Sequence, residues 1–284
     1  MSDGLVLFPN TKTSTTIWDI TDDRSVGVLE GHINMVVVGA LNAAGSVAMT
    51  MGRDNATLPY AVKIWSMDTL QCTANMTSTS NTSSLLKDRL LLGSSDGPIK
   101  VWDIGGSAPV ALMDLQGSKE IFYSIAASDA SNIAMAGSRD TMLLWDLRTG
   151  QIVRDMSDQY LGHIISVSMD SVCQTAASAS FEGTALLWDL GSGQRINNYD
   201  VGFDLRHIMM HESGSLFLTS YSDASFKAWS TVSGHEKPIF QSDVDPSCGY
   251  GIFNPSIAAS RDLSRVGMCY MNADESELKV SVWK

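Results

Sequence analysis

Between Leu90 and Ile104 the chain reads LLLGSSDGPIKVWDI. An apolar run, a Ser-Ser-Asp-Gly turn and an alternating run that ends on a tryptophan are the pattern of a β-hairpin. The same order returns in Ile133–Leu147, Thr175–Leu190 and Leu216–Trp229. An extended segment follows each hairpin, as in Pro109–Leu115, Gln151–Met156 and Pro238–Gln241, and a new apolar strand then begins, as in Ile33–Leu41. The pattern predicts units of four strands.

Tryptophan marks the period. Trp18, Trp65, Trp102, Trp145, Trp188, Trp229 and Trp283 are separated by 47, 37, 43, 43, 41 and 54 residues, a spacing that belongs to repeated small sheets. The residue before every one is apolar: Ile17, Ile64, Val101, Leu144, Leu187, Ala228 and Val282. A carboxylate precedes three of them by six residues, at Asp96, Glu182 and Asp223, while Asp140 stands five before Trp145. A four-stranded sheet cannot bury both faces alone, so such units stack radially and close into a ring.

Four of the tryptophans head a Trp-Asp pair (Trp18-Asp19, Trp102-Asp103, Trp145-Asp146, Trp188-Asp189), and Gly31-His32 and Gly162-His163 supply Gly-His pairs. In phase with the period, these motifs make the chain resemble the WD-repeat family of β-propellers over nearly its whole length. It departs from that pattern where Ser66, Ser230 and Lys284 follow the tryptophan, and most units lack Gly-His. The resemblance implies a hydrogen-bonded chain of His, Ser/Thr, Asp and Trp within a blade, by which a buried carboxylate and imidazole are tolerated. Motif matching places His32, Thr50, Asp54 and Trp65 in one such structural network. A second holds His163, Ser178 and Trp188, with Glu182 in place of Asp, and a third holds Thr219, Asp223 and Trp229 without a histidine. Leu92 and Ala136 stand at the hydroxyl position of two further units, which are expected to lack the network.

The expected fold is therefore all-β, one propeller domain over residues 1–284. Seven blades with incomplete first and last sheets is the preferred count. The alternative is six blades, with Ser25–Leu29 completing the last sheet and an overhanging N-terminal hairpin.

Charge narrows the partners. With 19 basic and 31 acidic side chains the net charge is −12, a field that repels nucleic-acid phosphates and anionic lipid. The longest apolar stretch, Met35–Leu41, is too short to span a bilayer, and Met1–Asn10 lacks the basic start of a signal peptide. Four scattered cysteines without CxxC spacing fit a reducing compartment, cytoplasmic or nuclear. His207, His211 and Glu212 suggest metal, but on a strand the histidines lie roughly 13 Å apart. Gly93–Gly97 lacks the lysine and helix of a phosphate loop. No cofactor, metal or catalytic residue is expected.

Surface recognition remains. By resemblance, partners dock on turns between second and third strands and on the approach to the innermost strand. The residue before each turn carboxylate is then a contact candidate: Arg53, Ser95, Arg139, Phe181 and Ser222. Tyr123 and Arg206 are the candidates on the approach. Arginines and aromatics dominate interface energies, and three arginines on one rim suit an acidic or phosphorylated peptide. Insertions at Asn55–Tyr60 and between Asp274 and Trp283 fall on the same set of turns. The function expected is a non-catalytic scaffold or adaptor for protein–protein interaction. The alternatives are a propeller fragment of a larger regulatory protein, or an enzyme with its site at the central channel.

Overall fold

The structure is a computed structural model. It describes residues 4–9, 13–54, 59–80, 82–95, 97–115, 117, 121–157, 162–223, 225–232, 238, 240–241, 256–259, 266–271 and 278–283. The inserted residues 55–58, Asp96 and Asp274 lie outside that set.

Among the described residues every sheet is antiparallel. Five have four strands: β4–β7 (Val36–Leu41, Val47–Gly52, Tyr60–Ser66, Gln71–Ser78), β8–β11 (Ser83–Leu85, Arg89–Leu92, Ile99–Asp103, Val110–Leu115), β12–β15 (Ser124–Ser128, Ile133–Gly137, Met142–Asp146, Ile152–Asp155), β16–β19 (Ile164–Met169, Thr175–Ser180, Thr184–Asp189, Gln194–Asp200) and β20–β23 (Leu205–Met210, Leu216–Tyr221, Phe226–Ser230, Phe240–Gln241). Three-stranded sheets lie at the two ends of the chain, β1–β3 (Leu5–Pro9, Ser14–Asp19, Arg24–Glu30) and β24–β26 (Ser256–Ala259, Val266–Met271, Leu278–Trp283). Seven complete four-stranded blades are not formed, since only five of the sheets among the described residues have four strands. The segment Arg24–Glu30 pairs with β2.

Burial follows strand position. Second strands are buried almost throughout, as in Val47–Gly52 and Leu216–Tyr221, and β17 is made wholly of Ala, Ser and Thr. The fourth strands are mostly exposed: all of Ile152–Asp155 and most of Gln194–Asp200 face solvent. In every complete sheet the tryptophan sits on the third strand, and Trp65, Trp145, Trp188 and Trp229 are no more than 2% exposed. A register shift falls just before the tryptophan in four sheets, at Ile17/Trp18, Ile64/Trp65, Leu144/Trp145 and Leu187/Trp188. Such a bulge leaves one residue of the partner strand unpaired and turns it outward. Val26, Val153 and Ile196 are those residues in three of the sheets, and all three are exposed.

The chain divides into two compact units. In the first (Met1–Ser95, Ile99–Asp114 and Pro255–Lys284), Leu7, Ile17, Leu29, Ala48 and Trp65 form a core between the β1–β3 and β4–β7 sheets. Met49, Val62, Leu90 and Leu92 form the next core, and β1 runs beside β24. In the second (Asp96–Pro98 and Leu115–Asn254), Met135, Leu144, Ile164 and Trp188 fill one interval between sheets. Leu187, Tyr199, Phe217 and Trp229 fill the next. Serines stitch its inner strands. Val167 donates its amide proton to Ser124 Oγ (3.0 Å), Ile208 to Ser166 Oγ (3.1 Å) and Met210 to Ser168 Oγ (2.9 Å). Backbone donors that face a neighbouring sheet are thereby satisfied.

Candidate interaction surface

Asp54, His32, Thr50 and Trp65 are joined in one chain. Asp54 Oδ1 lies 2.9 Å from His32 Nδ1, His32 Nε2 lies 2.8 Å from Thr50 Oγ1, and the Trp65 indole donates to Thr50 Oγ1 at 2.8 Å. Asp54 also accepts the Ile33 amide at 2.9 Å. Burial, the largest influence, pulls the His32 imidazole below its ordinary value of 6.5 against the hydrogen bond and charge of Asp54. Burial pushes the Asp54 carboxyl up, but the bonds from Ile33 and His32 outweigh it and hold the group below the ordinary carboxylate value. The result is a neutral ring bonded to an ionised acid.

The Trp188 unit is built otherwise. Its indole donates to Ser178 Oγ at 2.8 Å, yet the His163 ring does not enter the chain expected for it. It lies over Tyr123, with centroids 4.4 Å apart, and 6.4 Å from Phe181. Glu182, one methylene longer than Asp54, accepts the His163 amide through both carboxylate oxygens, at 3.2 and 3.0 Å.

In the Trp229 unit the indole donates to Thr219 Oγ1 at 2.9 Å, and Thr219 bonds the hydroxyl of Tyr221 at 3.1 Å, which donates in turn to the Val201 carbonyl. Asp223 stands outside this chain and accepts the amide and hydroxyl of Ser225. Burial pushes the Tyr221 hydroxyl up to about 12, so it stays a donor. Sequence reasoning missed this tyrosine, although it sits two residues after Thr219 on a strand and shares its face. With Leu92 at the hydroxyl position, the buried Trp102 Nε1 has no hydrogen-bond partner among the described residues. Trp145, opposite Ala136's strand, meets Phe122 edge to face at 5.6 Å.

The candidate contact residues separate by unit. In the first, Arg53 donates to the Tyr60 hydroxyl at 3.1 Å and lies 5.4 Å from the centre of its ring. The Ser95 amide donates to Thr79 Oγ1. In the second, Tyr123, His163 and Phe181 form a shelf of rings, with Phe181 69% and Tyr123 42% exposed.

Backbone bonds hold this edge together: Tyr123 N to Gly137 O, Ile164 N to Ser138 O and Phe181 N to His163 O. Arg139, next to Ser138, is exposed. The glycine turn after Glu182 touches the next loop, where a Cβ on Gly183 would lie 2.9 Å from the Gly202 carbonyl carbon. That loop carries Phe203, 75% exposed and not anticipated from sequence. Ser222 N bonds Asp204 O. Arg206 is the unpaired bulge residue of β20, which accounts for its exposure.

Against the metal reading, His207 is exposed on β20 and His211 bonds Ser213 Oγ at 2.6 Å. Among the described residues no group of three His, Cys, Asp or Glu could hold an ion. Among them, too, no helix is long and apolar enough to cross a membrane.

No family model matches the chain. It is 26% identical to Mitochondrial division protein 1 of Saccharomyces cerevisiae, over 49% of this chain and 25% of that protein. It is 29% identical to Ribosome biogenesis protein YTM1 of Meyerozyma guilliermondii, over 46% of this chain and 27% of that protein. The WD repeat-containing protein GTS1 of Arabidopsis thaliana is 30% identical over 26% of the chain and 19% of its own length. The chain thus spans about a quarter of the first two relatives. Four-stranded sheets with tryptophan on the third strand, the Asp–His–Thr–Trp chain and these similarities are consistent with the class of WD-repeat β-propellers.

Proposed function

We propose that this chain is a non-catalytic adaptor that recognises a protein partner through the shelf of Tyr123, His163 and Phe181. The observation that carries the reading is the exposure of Tyr123 and Phe181 with the half-buried His163 ring between them on one edge of the second unit, held by backbone hydrogen bonds. Rigid aromatic surface open to water is the commonest source of interface energy. The relatives' names speak of mitochondrial division in one case and ribosome biogenesis in another. Such different settings favour a shared platform over a shared reaction.

Arg139 and Arg206 give the partner its polarity, and the reading takes it as an acidic or phosphorylated peptide. Asp140 and Asp204 are exposed beside them. The edge therefore has no net basic field, and its arginines act by direct contact with a carboxylate or phosphate.

The test is affinity capture with quantitative mass spectrometry. Truncating two aromatic anchors, Tyr123→Ala with Phe181→Ala, is expected to weaken binding by about 2 kcal/mol or more, roughly thirtyfold. Arg139→Ala with Arg206→Ala should act on the same proteins, and phosphatase treatment of the extract separates phosphate from carboxylate recognition. Unchanged recovery with the aromatic pair truncated would refute the reading.

A further inference from the structure

Gly52, Ser180 and Tyr221 occupy one register position in three sheets. Each lies opposite the first residue of its inner strand, respectively Val36, Ile164 and Leu205, immediately before the bulge. Each also follows by two residues the hydroxyl that accepts the tryptophan indole, from Thr50, Ser178 or Thr219. At Gly52 a Cβ would fall 2.6 Å from His32 Nδ1 and 3.0 Å from two ring carbons. The imidazole therefore uses space that only glycine leaves. Tyr221 fills the place with its own ring and supplies the hydrogen-bonding group itself. Ser180, fully buried, puts a Cβ there, and its hydroxyl accepts the Thr184 amide at 3.3 Å.

We infer that Ser180 is a positioning residue: its Cβ denies His163 the buried seat that His32 occupies and commits the imidazole to the surface shelf beside Tyr123 and Phe181. Glu182 completes the exclusion. Its carboxylate lies 2.4 Å from where a Cβ on Gly162 would stand and clamps the His163 backbone amide. A histidine that motif matching assigns to the structural network is thereby released for recognition. This last step rests on the interaction surface proposed above; the placement of the ring does not.

Diethyl pyrocarbonate labelling of the intact chain, read by peptide mapping, tests the placement. In the unaltered protein His163 is labelled and His32, whose side chain is 1% exposed, is protected. Ser180→Gly combined with Glu182→Asp opens the seat and supplies the shorter carboxylate, so His163 labelling falls about tenfold or more as the inward conformer takes over. Ser180→Ala keeps the Cβ and leaves labelling unchanged. Gly52→Ala is the mirror experiment and makes His32 reactive. If the double variant leaves His163 as reactive as before, the inference is overturned; should Gly52→Ala fail to fold, the two Ser180 variants still decide it. In partner capture, the double variant loses the proteins lost with Tyr123 and Phe181 truncated. Loss of labelling at His163 without loss of capture, or the reverse, separates failure of the placement from failure of the docking surface.

Discussion

His32 is the residue on which the first unit's polar chemistry turns. Its folded-state pKa lies below that of the unfolded chain, so the unfolded state binds more protons as pH falls through the imidazole range. The stability it contributes is whole above 6.5 and declines as pH drops below that value. Asp54 acts lower, keeping its contribution above the ordinary carboxylate value of 3.8 and losing it as pH falls further. The urea midpoint is therefore expected to fall between about pH 7.5 and about pH 5.5, and to fall less in His32→Gln. Equal slopes in the two proteins would remove His32 from this role. Thr50→Val strands both the imidazole Nε2 and the Trp65 indole and is expected to cost about 2–4 kcal/mol in denaturant titration.

At the scale of the strand, small residues decide how closely sheets approach. Gly137 ends β13 where a Cβ would lie 2.4 Å from Ile164 Cγ2 on the next sheet's inner strand, and its carbonyl accepts the Tyr123 amide. Gly137→Ala must push β16 away, at a cost of about 1–3 kcal/mol, and should shift the Tyr123 and His163 ring resonances in NMR spectra. Unaltered stability and spectra would show that the sheets are free to slide. The hairpins, the four-strand order and the tryptophan strand were legible because period-two alternation and turn residues are local signals. Bulges were not. A single unpaired residue leaves the alternation nearly intact, so the outward placement of Val26 and Val153 emerges only from the pairing.

Across the whole molecule, the charge of −12 predicts no retention of a DNA or RNA duplex in filter binding at low salt, where phosphate attraction is strongest. Retention that disappears with added salt would expose a basic patch against that field.

Repetition, strand content and charge were written in the chain itself, since each depends on residue type and spacing alone. So was the bonded set of His32, Thr50, Asp54 and Trp65, whose four side chains needed only the family pattern to be matched. Tertiary structure decided the rest. Whether an imidazole fits inside depends on one atom contributed by a strand some twenty residues away: Gly52 leaves room, Ser180 does not, and Tyr221 makes the histidine unnecessary. Excluded volume is a property of neighbours across a sheet, and a linear motif carries no record of it.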